Sequence, residues 1–293
     1  MNQDFSLQNI KFILIFSGCI FLGISLGAAL SFLLTFAMRN TVAWYTSITI
    51  LAINHLSIYL IPSLAYWYWF ELAKWRDFNR RPLNTVSMLW IGILAGIVIL
   101  PFNEIVIVWN KSLHLPKIFS GLEQWMRQKE QAKSILAATL TNIKSIDQLI
   151  IALLVSGLIA SVGEEIFFRG IIQNKLAKGT KNIHKGIWLA ATIFSAVHLQ
   201  FYGFFPRLLL GVLFGYLYVF SGNLWVPIFA HFINNALFVL VNFFEHPIVK
   251  YSSEVNFKMS PWLPGAISLV TSTLFLIYFY KKNRNFSPKL TND

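Results

Sequence analysis

Eight apolar stretches dominate this chain, at 12–38, 43–70, 87–109, 149–173, 187–199, 208–220, 224–244 and 262–280. About 20 apolar residues cross the hydrocarbon of a bilayer, and a backbone placed there has to bond to itself, so runs of this kind fold as helices. The fifth and sixth runs are short and are expected to begin a few residues earlier or to sit low in the bilayer. With 56% hydrophobic and 12% charged residues, a soluble domain of this length is excluded. The expected fold class is all-α, a polytopic membrane protein of about eight transmembrane helices around a polar intramembrane chamber. It forms one integral membrane domain. Its parts are a three-helix region at 1–110, an amphipathic connection at 111–147, a helical core at 148–245, and a C-terminal helix with a basic tail at 246–293.

A net charge of +12 would suggest nucleic acid in a soluble chain. Here Lys and Arg fall in the connections, so the expected partner is the lipid bilayer and not nucleic acid. Met1 to Gln8 lack a basic region and a small-residue cleavage site, so 12–38 is expected to be a retained span. The single cysteine, Cys19, can form no internal disulfide. Lys11, Lys74, Arg80, Arg81, the lysines from Lys175 to Lys185, and Lys281 to Lys289 share one side of the membrane. That bias places both termini in the cytoplasm. The long connection carries Ile118, Leu122, Trp125, Met126, Ile135, Leu136 and Leu140 at helical spacing. This pattern predicts an interfacial helix, with a lid or entry gate as the alternative.

The charges inside the fourth run need partners. Glu164, Glu165 and Arg169 would cost about 2.5–3.5 kcal/mol each if left unpaired at the bilayer centre. Glu165 and Arg169 are four apart, in the favourable order for a pair on one helix face, while Glu164 points about 100° away. One glutamate is therefore clamped and one is free. Two further polar pairs share this spacing, Phe194 with His198 and His231 with Asn235. Glu164, His198 and His231 fall at depths of roughly 16, 20 and 10 Å from the cytoplasmic face, so they can converge below the midplane. Asn54, His55, Asn103 and Glu104 are read as interhelical hydrogen-bonding groups, although Glu104, after Pro101, could line a cavity.

Such a chamber suits amide hydrolysis. A carboxylate beside a neutral imidazole can take a proton from water and return it to a leaving amine. An imidazole and a carboxamide on one helix turn can donate to a developing oxyanion. Two other classes use the same residues, a proton- or ion-coupled transporter and a non-catalytic immunity protein that binds a peptide. No repeated halves or paired broken helices of the transporter kind are visible.

Glu164-Glu165-x-x-x-Arg169, Phe194-x-x-x-His198 and His231-x-x-x-Asn235, with Gly211-Val-Leu-Phe-Gly215 and Leu224-Trp-Val-Pro227 between them, resemble the motif set of the CPBP family. These are intramembrane proteases that include type II CAAX prenyl endopeptidases and bacteriocin-processing or self-immunity proteins termed Abi. The resemblance spans roughly 151–240. It implies an endopeptidase acting on a membrane-associated or CAAX-like protein or peptide. In it Glu164 would be the general base, His198 would position the water, and His231 with Asn235 would form the oxyanion hole. Glu165, Arg169 and Phe194 would structure the site. In a metalloprotease version Glu164, His198 and His231 would ligate zinc. No HExxH is present, and the metal-free version is preferred.

The topology is checked by cysteine labelling or reporter fusions at positions 79, 178 and 289, all of which should report the cytoplasm. Labelling of any two from the opposite side would reverse the orientation.

Overall fold

The computed structural model describes residues 2–71, 75–81, 83, 86–252 and 262–283. Lys74, Lys258, Arg284 and Lys289 lie outside the described residues, as does most of the basic tail. Every apolar run becomes a helix: α1 (Ile10–Ala37), α2 (Ala43–Phe70), α3 (Met88–Lys111), α5 (Ile146–Thr180), α6 (Ile183–Ala196), α7 (Phe201–Ser221), α8 (Trp225–Phe244) and α9 (Trp262–Asn283). The amphipathic connection supplies α4 (Ser120–Thr141). Among the described residues there is no strand, only an isolated bridge between Asn79 and Asn223.

Seven of these helices are long and apolar enough to cross a membrane, and α6 is not. Its 14 residues cover about 21 Å of the roughly 30 Å needed. Its start is fixed by Asn182, whose Oδ1 accepts from the Lys185 amide at 3.0 Å, four residues ahead of the expected boundary. Beyond Ala196 the chain turns away, because Leu199 adopts a left-handed φ of 52°. Arg207 then holds the turn by donating to both the backbone and the side-chain oxygen of Gln200, at 2.5 and 2.9 Å. The sixth run likewise starts ahead of residue 208, at Phe201, as its shortness led one to expect.

Burial separates the interior of the bundle from its rim. Half of α7 and 44% of α5 are buried, against 17% of α1 and 22% of α9, so the outer two present apolar faces such as Phe21, Phe32 and Leu274 to lipid. The inner helix α5 is not a uniform α-helix. Wide π turns at Leu153–Ile159 and Ile166–Gln173 flank a short α-helical stretch, Ala160–Glu165. π turns of this kind concentrate at functional sites, and this one brackets Glu164 and Glu165.

Helix α4 lies at the N-terminal end of α5. Trp44 of α2 donates from Nε1 to the Leu140 carbonyl at 3.0 Å and anchors its C-terminal end. Its other end is latched through Glu123, which accepts from the Leu115 amide at 3.2 Å, Arg127 Nε at 3.0 Å and the Tyr202 hydroxyl at 3.4 Å. Ile118, Leu122, Trp125 and Ile135 are left exposed, as an interfacial helix requires.

The Arg127 and then the His114 hydrogen bonds hold the Glu123 carboxyl down to about 2. A carboxyl lowered on folding stabilises the folded state above its unfolded value and loses that contribution as pH falls. The latch is thus complete at neutral pH and weakens between about pH 4.5 and about 2. Glu123→Gln should speed amide exchange over 114–127 at pH 7 without changing α5. Wild-type protein should show the same loosening only in that acid window, and unchanged exchange in the variant would remove Glu123 from this role.

Candidate active site

The site is built outward from a buried ion cluster on α5. Glu165 and Arg169 are 0% and 1% exposed, and Arg169 Nη1 donates to Glu165 Oε1 at 2.8 Å, the pairing expected from their spacing. Arg169 Nη2 donates to the Gly211 carbonyl of α7 at 3.0 Å, and one turn on Gln173 Nε2 donates to the Gly215 carbonyl at 3.3 Å. Two polar side chains four apart thus read two carbonyls four apart, and the glycines keep that face bare. A Cβ at Gly215 would lie 2.8 Å from Gln173 Oε1 and Ile187, and one at Gly211 would lie 3.0 Å from Ala191. The guanidinium also sits over the rings of Phe194 and Phe214, 4.9 and 5.5 Å from their centroids.

His231 of α8 completes the cluster. Its Nδ1 lies 2.8 Å from Glu165 Oε1, and its ring stacks on Phe214 at 4.9 Å. Because Glu165 is an acceptor, Nδ1 carries the hydrogen, and in the neutral form of the ring Nε2 presents a lone pair. That Nε2 is 3.9 Å from Glu164 Oε2. His198, just past the end of α6, is held the same way, with Nδ1 donating to the Phe194 carbonyl at 2.7 Å. Asn235 donates one of its two amide hydrogens to the Ser156 carbonyl at 3.0 Å.

Glu164, only 4% exposed, has no arginine. It faces a chamber of about 780 Å³ that His198, His231, Asn234 and Asn235 also line. The three polar clusters therefore converge, as their depths suggested. The chamber reaches the end of the bundle where α4 lies, being lined there by Lys133, Leu136, Gln200 and Arg207, and not the end at Lys175–Lys185. Asn54, His55, Asn103 and Glu104 line it too, which extends their reading as interhelical groups. His55 departs furthest from that reading, with Nδ1 3.4 Å from Glu164 Oε1. A lone histidine in an apolar run carries no spacing signal, and only the packing of α2 on α5 reveals it.

For zinc the arrangement is a poor fit. Among the described residues no three His, Cys, Asp or Glu side chains are gathered closely enough to hold a metal ion. Nothing below is routed through one.

A bundle of spanning helices that buries an unclamped carboxylate among imidazoles defines a multi-pass membrane protein with an internal acid–base site. Residues 146–237 match the family model for type II CAAX prenyl endopeptidase Rce1-like proteins. The chain is 26% identical over 168 residues to "Uncharacterized protein YpbD" of Bacillus subtilis (strain 168), covering 56% of this chain and 74% of that protein. It is 28% identical over 184 residues to "Putative membrane peptidase YdiL" of the same organism, covering 61% and 66%. No solved structure matches the chain. The matched residues 146–237, which hold Glu164, Glu165, Arg169, Phe194, His198, His231 and Asn235, are similar to the Rce1-like type II CAAX prenyl endopeptidases, a family of membrane proteases.

The two adjacent glutamates should separate on substitution. Glu165→Gln leaves Arg169 buried without its counter-charge, a defect of about 3–5 kcal/mol, and should lower the yield of folded protein. Glu164→Gln removes no such pair and should leave the thermal midpoint close to wild type. The opposite ranking, measured by thermal unfolding in detergent, would exchange their roles.

Proposed function

We propose that the protein is an intramembrane endopeptidase that cleaves a peptide bond of a membrane-associated protein or peptide, with Glu164 activating water. The observation that carries this reading is the division between the two glutamates. Glu165 is consumed by Arg169 and His231, and Glu164 is left facing imidazoles in a chamber. Water held by Glu164 and His198 gives a proton to Glu164 as its oxygen adds to the carbonyl carbon of the scissile bond. The oxyanion formed accepts the second amide hydrogen of Asn235, whose first is spent on Ser156. The proton moves from Glu164 Oε2 to Nε2 of His231 across their 3.9 Å separation. From there it goes to the leaving nitrogen as the C–N bond breaks.

The anchored Nδ1–H of His231 supports this carrier role. Donation to the oxyanion, the role the family resemblance implies, becomes available to His231 only once Nε2 is protonated. An apolar wall, including Leu51, Leu100 and Phe238, suits an apolar substrate segment. With both termini in the cytoplasm of a bacterial plasma membrane, α4 and its end of the chamber lie on the outer side, and substrate meets Glu164 from there.

Membrane proteomes of cells carrying wild type or Glu164→Ala test the reading. At least one membrane protein should accumulate uncleaved in the variant, and identical proteomes would sink it. Purified enzyme should keep its activity through exhaustive chelation, and Asn235→Ala should lose about 10²–10³-fold in kcat. Stoichiometric zinc, lost and regained together with activity, would replace this mechanism with a metal-dependent one.

A further inference from the structure

Three imidazoles surround Glu164, and one of them lies far outside the segment that matches the family. His55 closes the first α-helical part of α2, Ala43–His55, and a π turn, Leu56–Leu60, follows at once. That turn packs on the α5 stretch that carries Glu164. A Cβ at Gly163 would sit 3.5 Å from Tyr59 Cβ and 3.6 Å from Leu60, ordinary contact between two closely approaching helices. The His55 ring lies against Tyr59 at 5.7 Å, and its side chain is 15% exposed.

The need for His55 follows from counting donors. A carboxylate buried in an apolar chamber is costly unless hydrogen bonds reach it. His231 and His198 have spent their Nδ1 hydrogens on Glu165 and on the Phe194 carbonyl, and His231 Nε2, at 3.9 Å from Glu164, is too far away to donate. His55 Nδ1 is buried with no hydrogen-bond partner among the described residues, and Glu164 Oε1 is 3.4 Å away. This is longer than a formed hydrogen bond, and such contacts in ligand-free sites commonly tighten in the working complex.

We infer that His55 is a positioning residue for the reaction, its Nδ1–H holding Oε1 of Glu164 so that Oε2, facing His231, is the oxygen that accepts the proton from water. Catalytic geometry would then depend on a helix that the family segment does not include. The inference rests on the hydrolase reading of Glu164, and its test separates the two.

Full-length protein in proteoliposomes is assayed with a mixture of internally quenched, membrane-partitioning peptides. His55→Ala should lower kcat about 10- to 100-fold with KM unchanged, the worth of one hydrogen bond to a charged group. His55→Asn, whose amide nitrogen can take the place of Nδ1, should recover most of that loss. His55→Gln, whose amide reaches the place of Nε2, should not. A structural role alone would rank the three by folded yield, with no difference between Asn and Gln in kcat. In parallel, thermal unfolding of His55→Asn, His55→Ala, Glu164→Gln and the double variants forms a cycle that needs no turnover. Coupling should appear between His55→Ala and Glu164→Gln. Equal turnover by wild type and Glu164→Gln would defeat the hydrolase reading, while additive thermal effects would overturn the His55–Glu164 pairing. With turnover dependent on Glu164, an unchanged kcat in His55→Ala, or Asn no better than Ala, would overturn the positioning role.

Discussion

A single carboxylate oxygen, Glu165 Oε1, ties three parts of the bundle together. It accepts from Arg169 on its own helix and from His231 on α8, while Arg169 reaches past it to the Gly211 carbonyl of α7. In a low-dielectric interior such a pair is weak support for stability, because the cost of removing both charges from water rivals their attraction. Its effect here is to specify which helices meet and in what register. A shift of either helix by one residue would leave Arg169 or Gln173 without its carbonyl, so α5, α7 and α8 are held in one arrangement. The chamber is the space that arrangement leaves.

The same oxygen sets the chemistry next door. By taking the Nδ1 hydrogen of His231 it fixes that ring's tautomer and turns a lone pair toward Glu164. His198 is set alike by the Phe194 carbonyl. Two neighbouring glutamates thus differ in setting: one is immobilised by charge and defines orientation, and the other faces the chamber without an arginine. Had Arg169 paired with Glu164 instead, the chamber would contain no unclamped base.

Sequence reasoning reached what is local. Spacings of four made Glu165–Arg169, Phe194–His198 and His231–Asn235 legible, because residues four apart on a helix meet whatever surrounds them. Apolar run length was enough for seven of the eight spans and for the earlier starts of α6 and α7, but not for the brevity of α6, whose ends are set by Asn182, by the left-handed Leu199 and by Arg207 on Gln200. What escaped was relational. His55 and Asn103 look like isolated polar residues in apolar runs, and nothing in their neighbours says that α2 and α3 bring them to the chamber, whereas Glu104, after Pro101, was legible as a cavity-lining residue. The partner of the second Asn235 helix face, Ser156, is equally silent in sequence. Counting residues from the nearest basic loop measures depth but not which end the packing leaves open.

The position of α4 carries the last step. The side chains of Glu165, Arg169 and His231 are buried, whereas α4 contributes Lys133 and Leu136 to the chamber and is fastened by polar contacts at its surface end and one indole bond at the other. Free energies of local opening follow burial, so α4 is the part of the wall that can move at least cost. Its Leu122 and Trp125, and Ile118 just ahead of it, are exposed. Displacing α4 would leave the ion cluster, and with it the geometry of Glu164, undisturbed.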